Sequence, residues 1–185
     1  MSSPRRILVV GSSGAGKSTL ARILGERYAL PVVHLDRHFW RAGWVAPDRD
    51  EWRRACAELA AAGSWVMDGN YGSSLDVRLP RADLIVFPDL SPVVCVARAL
   101  ARRWRYSGSP RPDLPPGCPE RVDWQFLRYM WQYRRKHRGR LLTVIADHAP
   151  DTPLVRLGSR RAVRAFVSTC SAGTWPSGAT VEAAR

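Results

Sequence analysis

Residues 11–18 read Gly-Ser-Ser-Gly-Ala-Gly-Lys-Ser and follow the apolar run Ile7-Leu8-Val9-Val10 without a gap. A short β-branched strand, a glycine-rich turn and then a helical period (Leu20, Ile23 and Leu24 on one face) restrict the fold more than any other stretch. Gly11-x-x-x-x-Gly16-Lys17-Ser18 matches the Walker A pattern in full. Its chemistry needs each part. Glycines let backbone N–H groups turn inward around phosphate oxygens, where side chains would stand in the way. The helix that begins here adds the positive end of its dipole. Lys17 reaches the β- and γ-phosphates, and the Ser18 hydroxyl ligates magnesium. Gly11, Ser12, Ser13, Gly14, Ala15, Gly16, Lys17, Ser18 and Thr19 are therefore the expected nucleotide site, with ATP and Mg²⁺ as cofactors.

The rest of the chain repeats the alternation of strand and helix. Val32-Val33-His34-Leu35 reads as a second strand ending at Asp36, and residues 37–46 as an aromatic loop. Pro47 and Asp48 open a helix running to Gly63, with Asp48 and Glu51 at capping-box-like spacing. Trp65-Val66-Met67 is a third strand, stopping at Asp68-Gly69-Asn70-Tyr71-Gly72, and Leu84 to Phe87 a fourth, stopping at Pro88-Asp89. Ser91-Pro92 caps a helix over 91–105. The proline-rich stretch 107–119 is a loop, and a periodic segment over 120–138 predicts a further helix. A fifth strand at 153–157 and a last helix capped by Ser159 complete the pattern, and the tail 169–185 has no period and reads as disordered. Continuous apolar strands between helices imply a five-stranded parallel sheet covered on both faces. The expectation is one α/β domain over residues 1–168, with a lid at about 105–122.

Several classes fall away. No apolar run is long enough for a membrane span, and Ile7–Val10 is too short for a signal-peptide core. The four cysteines include no C-x-x-C pair, which predicts a reducing, cytoplasmic setting and no membrane partner. A GTPase would need Asn/Thr-Lys-x-Asp, yet Lys136, the one lysine besides Lys17, is followed by His137 and Arg138. The chain is too short for a helicase or AAA+ core and has no L-S-G-G-Q signature. A small-molecule kinase remains, with the oligomeric state open.

Carboxylates at strand ends supply the next candidates. Asp36 lies where acceptors sit in such folds, at the carboxyl end of strand two. It serves a hydroxyl acceptor as base or anchor, is not needed as a base for a phosphate acceptor, or caps the next turn. Asp68 and Asp89 both end buried strands and compete for magnesium. Phe39, Trp40 and Trp44 either stack on a substrate or form loop core.

The order of strand, phosphate loop, Asp36, Asp68-Gly69 and an arginine-rich lid resembles the nucleoside-monophosphate-kinase type of P-loop kinase. More closely, Gly11–Thr19, Val33–Trp44, Asp68–Gly72 and the stretch Arg111-Pro112-Asp113 through Pro116–Arg121 resemble the adenylate-kinase-like bacterial family labelled DNA topology modulation proteins. That resemblance, over about residues 5–168, implies that Asp68 rather than Asp89 orients magnesium through water. It also implies lid arginines that close over the transferring phosphoryl group. The chain departs from adenylate kinases where they carry Phe-Pro-Arg after Asp-Gly: here Asn70-Tyr71-Gly72 follows, and the next arginine is Arg78. Asp36, Trp40, Asp68, Gly69, Asn70, Tyr71 and Arg78 are the expected acceptor-side residues.

The net charge is +13, and residues 98–140 alone carry 12 basic and 3 acidic side chains, a net of +9. On the helix 91–105, Val93, Ala97, Leu100 and Trp104 share one face and Arg98, Arg102 and Arg105 another. On 120–138, Trp124, Leu127, Met130 and Trp131 form the apolar face, with Arg121, Arg128 and Arg135 opposite as a solvated set. Arg134 and Arg138 fall within the apolar sector, where an arginine needs a buried anion. ATP phosphates are the expected one, which makes Arg98, Arg102, Arg134 and Arg138 the expected catalytic arginines beside Lys17 and Asp36. Tryptophans among arginines also suit nucleic acid, a second partner class after a small-molecule acceptor.

Overall fold

Arg6–Val9 forms β1, and the sheet is arranged about it. The computed structural model describes residues 4–106, 113–119, 122–170 and the backbone of 181–182. Within these, β2 spans Val32–His34, β3 Trp65–Asp68, β4 Leu84–Pro88, β5 Leu154–Leu157 and β6 Val181–Glu182. The strand order is β2-β3-β1-β4-β5-β6. The first five strands are parallel, as their unbroken apolar runs require, and β6 adds antiparallel to β5. The α/β fold with a five-stranded parallel sheet is thus present, with one short strand more than expected. That strand lies in the expected disordered tail, whose residues 171–180 and 183–185 are outside the described residues.

Alternation along β1 divides the core in two. Leu8 and Val10 face a cluster with Trp52, Met67, Phe87 and Ile145, while Ile7 and Val9 face Leu20, Leu24, Val86 and Phe166. Each of these fully buried aliphatic side chains contributes about 2 kcal/mol relative to exposure. The first face is covered by α3 (Arg49–Ala61), α4 (Leu75–Arg78) and α7 (Arg138–His148), the second by α1 (Lys17–Tyr28) and α8 (Arg160–Thr169). Asp48 caps α3 and Ser159 caps α8, each bonding backbone N–H groups of the first turn.

Three elements differ from expectation. Residues 35–39 form a short helix, α2 (Leu35–Phe39), so Asp36 sits in a helical first turn rather than at the head of a loop. The helix expected over 120–138 is α6 (Trp124–Lys136), and it is followed at once by α7. No element was expected over 139–152; there Leu141 and Ile145, four apart, bury one face of α7.

The third difference is the orientation of α5 (Pro92–Arg105). The face shared by Val93, Ala97, Leu100 and Trp104 is outside: Trp104 is 86 % exposed, and Val93 and Leu100 are exposed with it. The buried residues are the small ones, Cys95 and Ala99. The phosphate loop is the reason. A Cβ on Gly14 would stand 2.2 Å from the Cys95 carbonyl oxygen, a backbone approach that admits no large side chain between loop and helix.

Candidate active site

The strand register assembles the site. β1 pairs Val9 with Asp68, and β2 pairs His34 with the same Asp68, so three parallel strands end in one row beside the glycine-rich loop. Within that loop Gly14 has φ 76° and Gly16, the N-cap of α1, has φ 90°, conformations that a side chain would strain. Lys17 donates from Nζ to the Ser12 carbonyl at 3.1 Å. Burial pulls its ammonium below the usual lysine range, against the upward pull of Asp36 and Asp68. The Ser12 hydroxyl is buried beneath the loop and meets the Cys95 thiol, offsetting part of the rise that burial imposes on that thiol's pKa.

Asp68 is buried and gathers two partners: the Ser18 hydroxyl donates to Oδ2 at 2.8 Å, and His34 Nδ1 meets Oδ1 at 2.5 Å. A hydroxyl and a carboxylate side by side at the head of α1 are the hard oxygen donors that magnesium takes together with phosphate oxygens. Among the described residues no group of three His, Cys, Asp or Glu could hold a metal by itself. Asp89 has other occupants. Arg156 donates to its Oδ2 from Nε at 3.0 Å and Nη2 at 2.7 Å, Arg138 Nη1 lies 3.4 Å from the same oxygen, and Arg134 Nε lies 3.4 Å from Oδ1.

That cluster corrects the expectation for two arginines. Arg134 and Arg138 do find a buried anion, but it is the protein's own Asp89, and neither residue lines the cavity over the phosphate loop. Arg98 and Arg102 do line it, and Arg98 Nη1 donates to the Ala15 carbonyl at 3.2 Å. The proximity of Arg102 also lowers the Lys17 ammonium's pKa. Of the expected lid, residues 107–112 and 120–121, Arg121 included, lie outside the described residues.

The acceptor side differs in its details. The cavity, about 1180 Å³, runs from Gly14–Thr19 to Trp40, Trp44, Leu114 and Phe126. Asp36 lines it and accepts the Tyr71 hydroxyl at 2.6 Å; burial and the neighbouring Asp36 raise that phenol far above its usual pKa. Phe39 packs edge-on against Trp52 and close to Tyr71, so it is loop core, whereas Trp40 and Trp44 face the cavity. The Asn70 side chain is spent on the phosphate loop: Oδ1 accepts the Gly11 N–H at 2.7 Å and Nδ2 donates to the Gly11 carbonyl at 2.8 Å. Arg78, expected to touch the acceptor, is wholly buried and lies outside the cavity lining. The aromatic loop also meets the lid. Gly43 N–H donates to the Gly117 carbonyl at 2.9 Å and Trp44 Nε1 to the Pro119 carbonyl at 3.1 Å.

Two partners escaped the sequence reading. His34 flanks Asp36 in the chain, but only the register of β2 on β3 sets it against Asp68. Arg156 is a lone arginine in a strand, with no local signal of its role at Asp89.

Comparison with known proteins places this arrangement in a fold class. No family model matches the chain, and no curated protein does. Solved structures do: shikimate kinase from Acinetobacter baumannii in complex with shikimate aligns at TM-score 0.55 and 16% identity, over 89% of this chain and 89% of that one. Shikimate kinase from Bacteroides thetaiotaomicron aligns at TM-score 0.51 and 19% identity, over 90% of this chain and 96% of that one. At these identities the likeness establishes the fold: this chain has the fold of the P-loop kinases. Neither neighbour bears on the DNA-topology label.

Proposed function

We propose that the protein is a magnesium- and ATP-dependent phosphotransferase acting on a small acceptor. The observation that carries this reading is the Ser18–Asp68 pair at the head of a complete phosphate loop, opening into a cavity that Trp40 and Trp44 also line. The fold likeness to kinases supports it. Bound Mg²⁺–ATP supplies the phosphoryl group. The loop amides and Lys17 hold and neutralise the β- and γ-phosphates, Ser18 and Asp68 hold the metal side, and Arg98 and Arg102 face the same charge from α5. Asp36, oriented by the Tyr71 hydroxyl, stands at the acceptor end, where it takes the proton of an acceptor hydroxyl. The lid at about 105–122, joined to the aromatic loop through Trp44 and Gly43, excludes water. Four unpaired, buried cysteines support a reducing compartment.

The decisive experiment is ATP consumption across a panel of nucleosides, nucleotides, sugars and antibiotics. Lys17→Ala costs at least about a hundredfold in turnover, the loss typical of one preorganised donor; near-normal turnover in that variant sinks the assignment.

One observation favours a second reading, a nucleic-acid-associated protein that binds ATP. Trp104, Trp124 and Trp131 are exposed on α5 and α6 among Arg103, Arg128 and Arg135, and neither helix carries a carboxylate. Exposed tryptophans with arginines between them suit stacked bases and phosphates. A single-stranded oligonucleotide must then bind with an affinity that falls steeply with salt, by about three hundredfold for a fourfold rise in ionic strength if six phosphates are contacted. No binding at moderate salt removes this reading.

A further inference from the structure

Arg78 is wholly buried and forms no ion pair among the described residues, yet its guanidinium stays cationic, its pKa lowered by burial only to about 10. Its N–H groups go to backbone carbonyls instead. Nε donates to Ser74 at 3.1 Å, Nη1 to Gly69 at 3.1 Å, and Nη2 to Asn70 at 2.5 Å and Tyr71 at 3.2 Å. Burying a charge among neutral acceptors is costly, and here four hydrogen bonds to backbone carbonyls offset that cost.

What it enforces follows from peptide geometry. A trans peptide points its N–H opposite to its C=O. With the carbonyls of Gly69, Asn70 and Tyr71 all drawn onto Arg78, the N–H groups of Asn70, Tyr71 and Gly72 are turned away from it. None of the three donates to any atom of the described residues. Asn70 and Tyr71 line the cavity, whereas Arg78 does not. The side chains expected to meet an acceptor are occupied, Asn70 by Gly11 and Tyr71 by Asp36. Of the Asn70–Tyr71 loop, the backbone donors are what remains for an acceptor.

We propose that the Asn70 and Tyr71 amides form an oxyanion site of the acceptor pocket, preset by Arg78, and that the acceptor carries an anionic oxygen, carboxylate or phosphate, beside the hydroxyl that faces Asp36. The statement about the acceptor rests on the phosphotransferase reading; the statement about the site does not. Two aligned amide donors backed by a buried cation bind a charged oxygen well above a neutral one. Arg78 is a positioning residue here, acting through the carbonyls it holds.

The test first fills the phosphate loop of the full-length protein with Mg²⁺ and a non-hydrolysable ATP analogue, so that an added anion has no place there. Formate is then titrated against isotope-labelled protein and followed by two-dimensional amide NMR, with formamide as the neutral isostere and chloride at matched ionic strength. The Asn70 and Tyr71 amide protons shift downfield and saturate with formate, but not with formamide or chloride. Arg78→Lys raises the half-saturating formate concentration at least about tenfold, the scale of one lost charge-assisted hydrogen bond, while the affinity for the nucleotide analogue stays nearly unchanged. Shifts of these two amides no larger than the rest, or equal shifts with formate and formamide, overturn the site. If Arg78→Lys does not fold, the wild-type titration still decides. No turnover enters the readout, so a Lys17→Ala variant with normal activity would remove the kinase reading and leave this one standing.

Discussion

Asp89 shows how one buried carboxylate redirects residues that a sequence assigns elsewhere. With its side chain 1 % exposed, it gathers Arg156 from β5, Arg134 from α6 and Arg138 from α7. It ends a buried strand beside the phosphate loop, as a magnesium carboxylate would, and its competitor Asp68 does the same; the difference lies in who reaches them. Among the described residues, Ser18 and His34 reach Asp68, while only arginines form ion pairs with Asp89. Because the three arginines are about a third exposed, they recover some hydration when the carboxylate is lost. Asp89→Asn therefore costs about 2 kcal/mol, below the figure for a fully buried pair. Chemical denaturation with an unchanged m-value measures it, and an unaltered midpoint would show that the cluster adds nothing.

Among the elements, α5 and α6 depart furthest from their amphipathic pattern. Their periods were readable, and so was the separation of arginine and apolar faces. Which face points inward was not, because hydrophobic burial competes there with the close approach of the phosphate loop at Gly14. The loop wins: Cys95 and Ala99 go in, and Trp104 stays out. The boundary between α6 and α7 was hidden for a related reason. His137 is at once the C-cap of one helix and the N-cap of the next, and Gly139 falls inside the first turn of α7 instead of at the cap, where it would have announced a break. The five parallel strands were legible, since a strand buried on both faces needs a continuous apolar run and little else, whereas β6 carried no such run.

Across the whole molecule, the site draws on the ends of β1, β2 and β3, on α5 and on the segment 113–119, which meets the loop around Trp44. A ligand that bridges such separate parts couples to global stability. Mg²⁺–ATP at about a hundred times its Kd adds about 2.7 kcal/mol, which for a chain of this size raises Tm by about 5 to 10 °C. Calorimetry with and without the nucleotide checks this, and an unchanged Tm under saturating nucleotide would count against the phosphate loop as a binding site.

From local chemistry alone, the sequence determined the phosphate loop, the parallel sheet and the candidacy of Asp36 and Asp68. Glycines at fixed spacing and apolar runs act over a few residues, so their meaning survives without the fold. Tertiary structure alone decided which charges meet. It set Asp68 against Ser18 and Asp89 against three arginines, and it turned Arg78 inward to hold the backbone of the Asn70–Tyr71 loop. These are contacts between residues far apart in the chain or hidden behind a turn. Their partners are chosen by strand register and by the cost of leaving a buried charge unsatisfied.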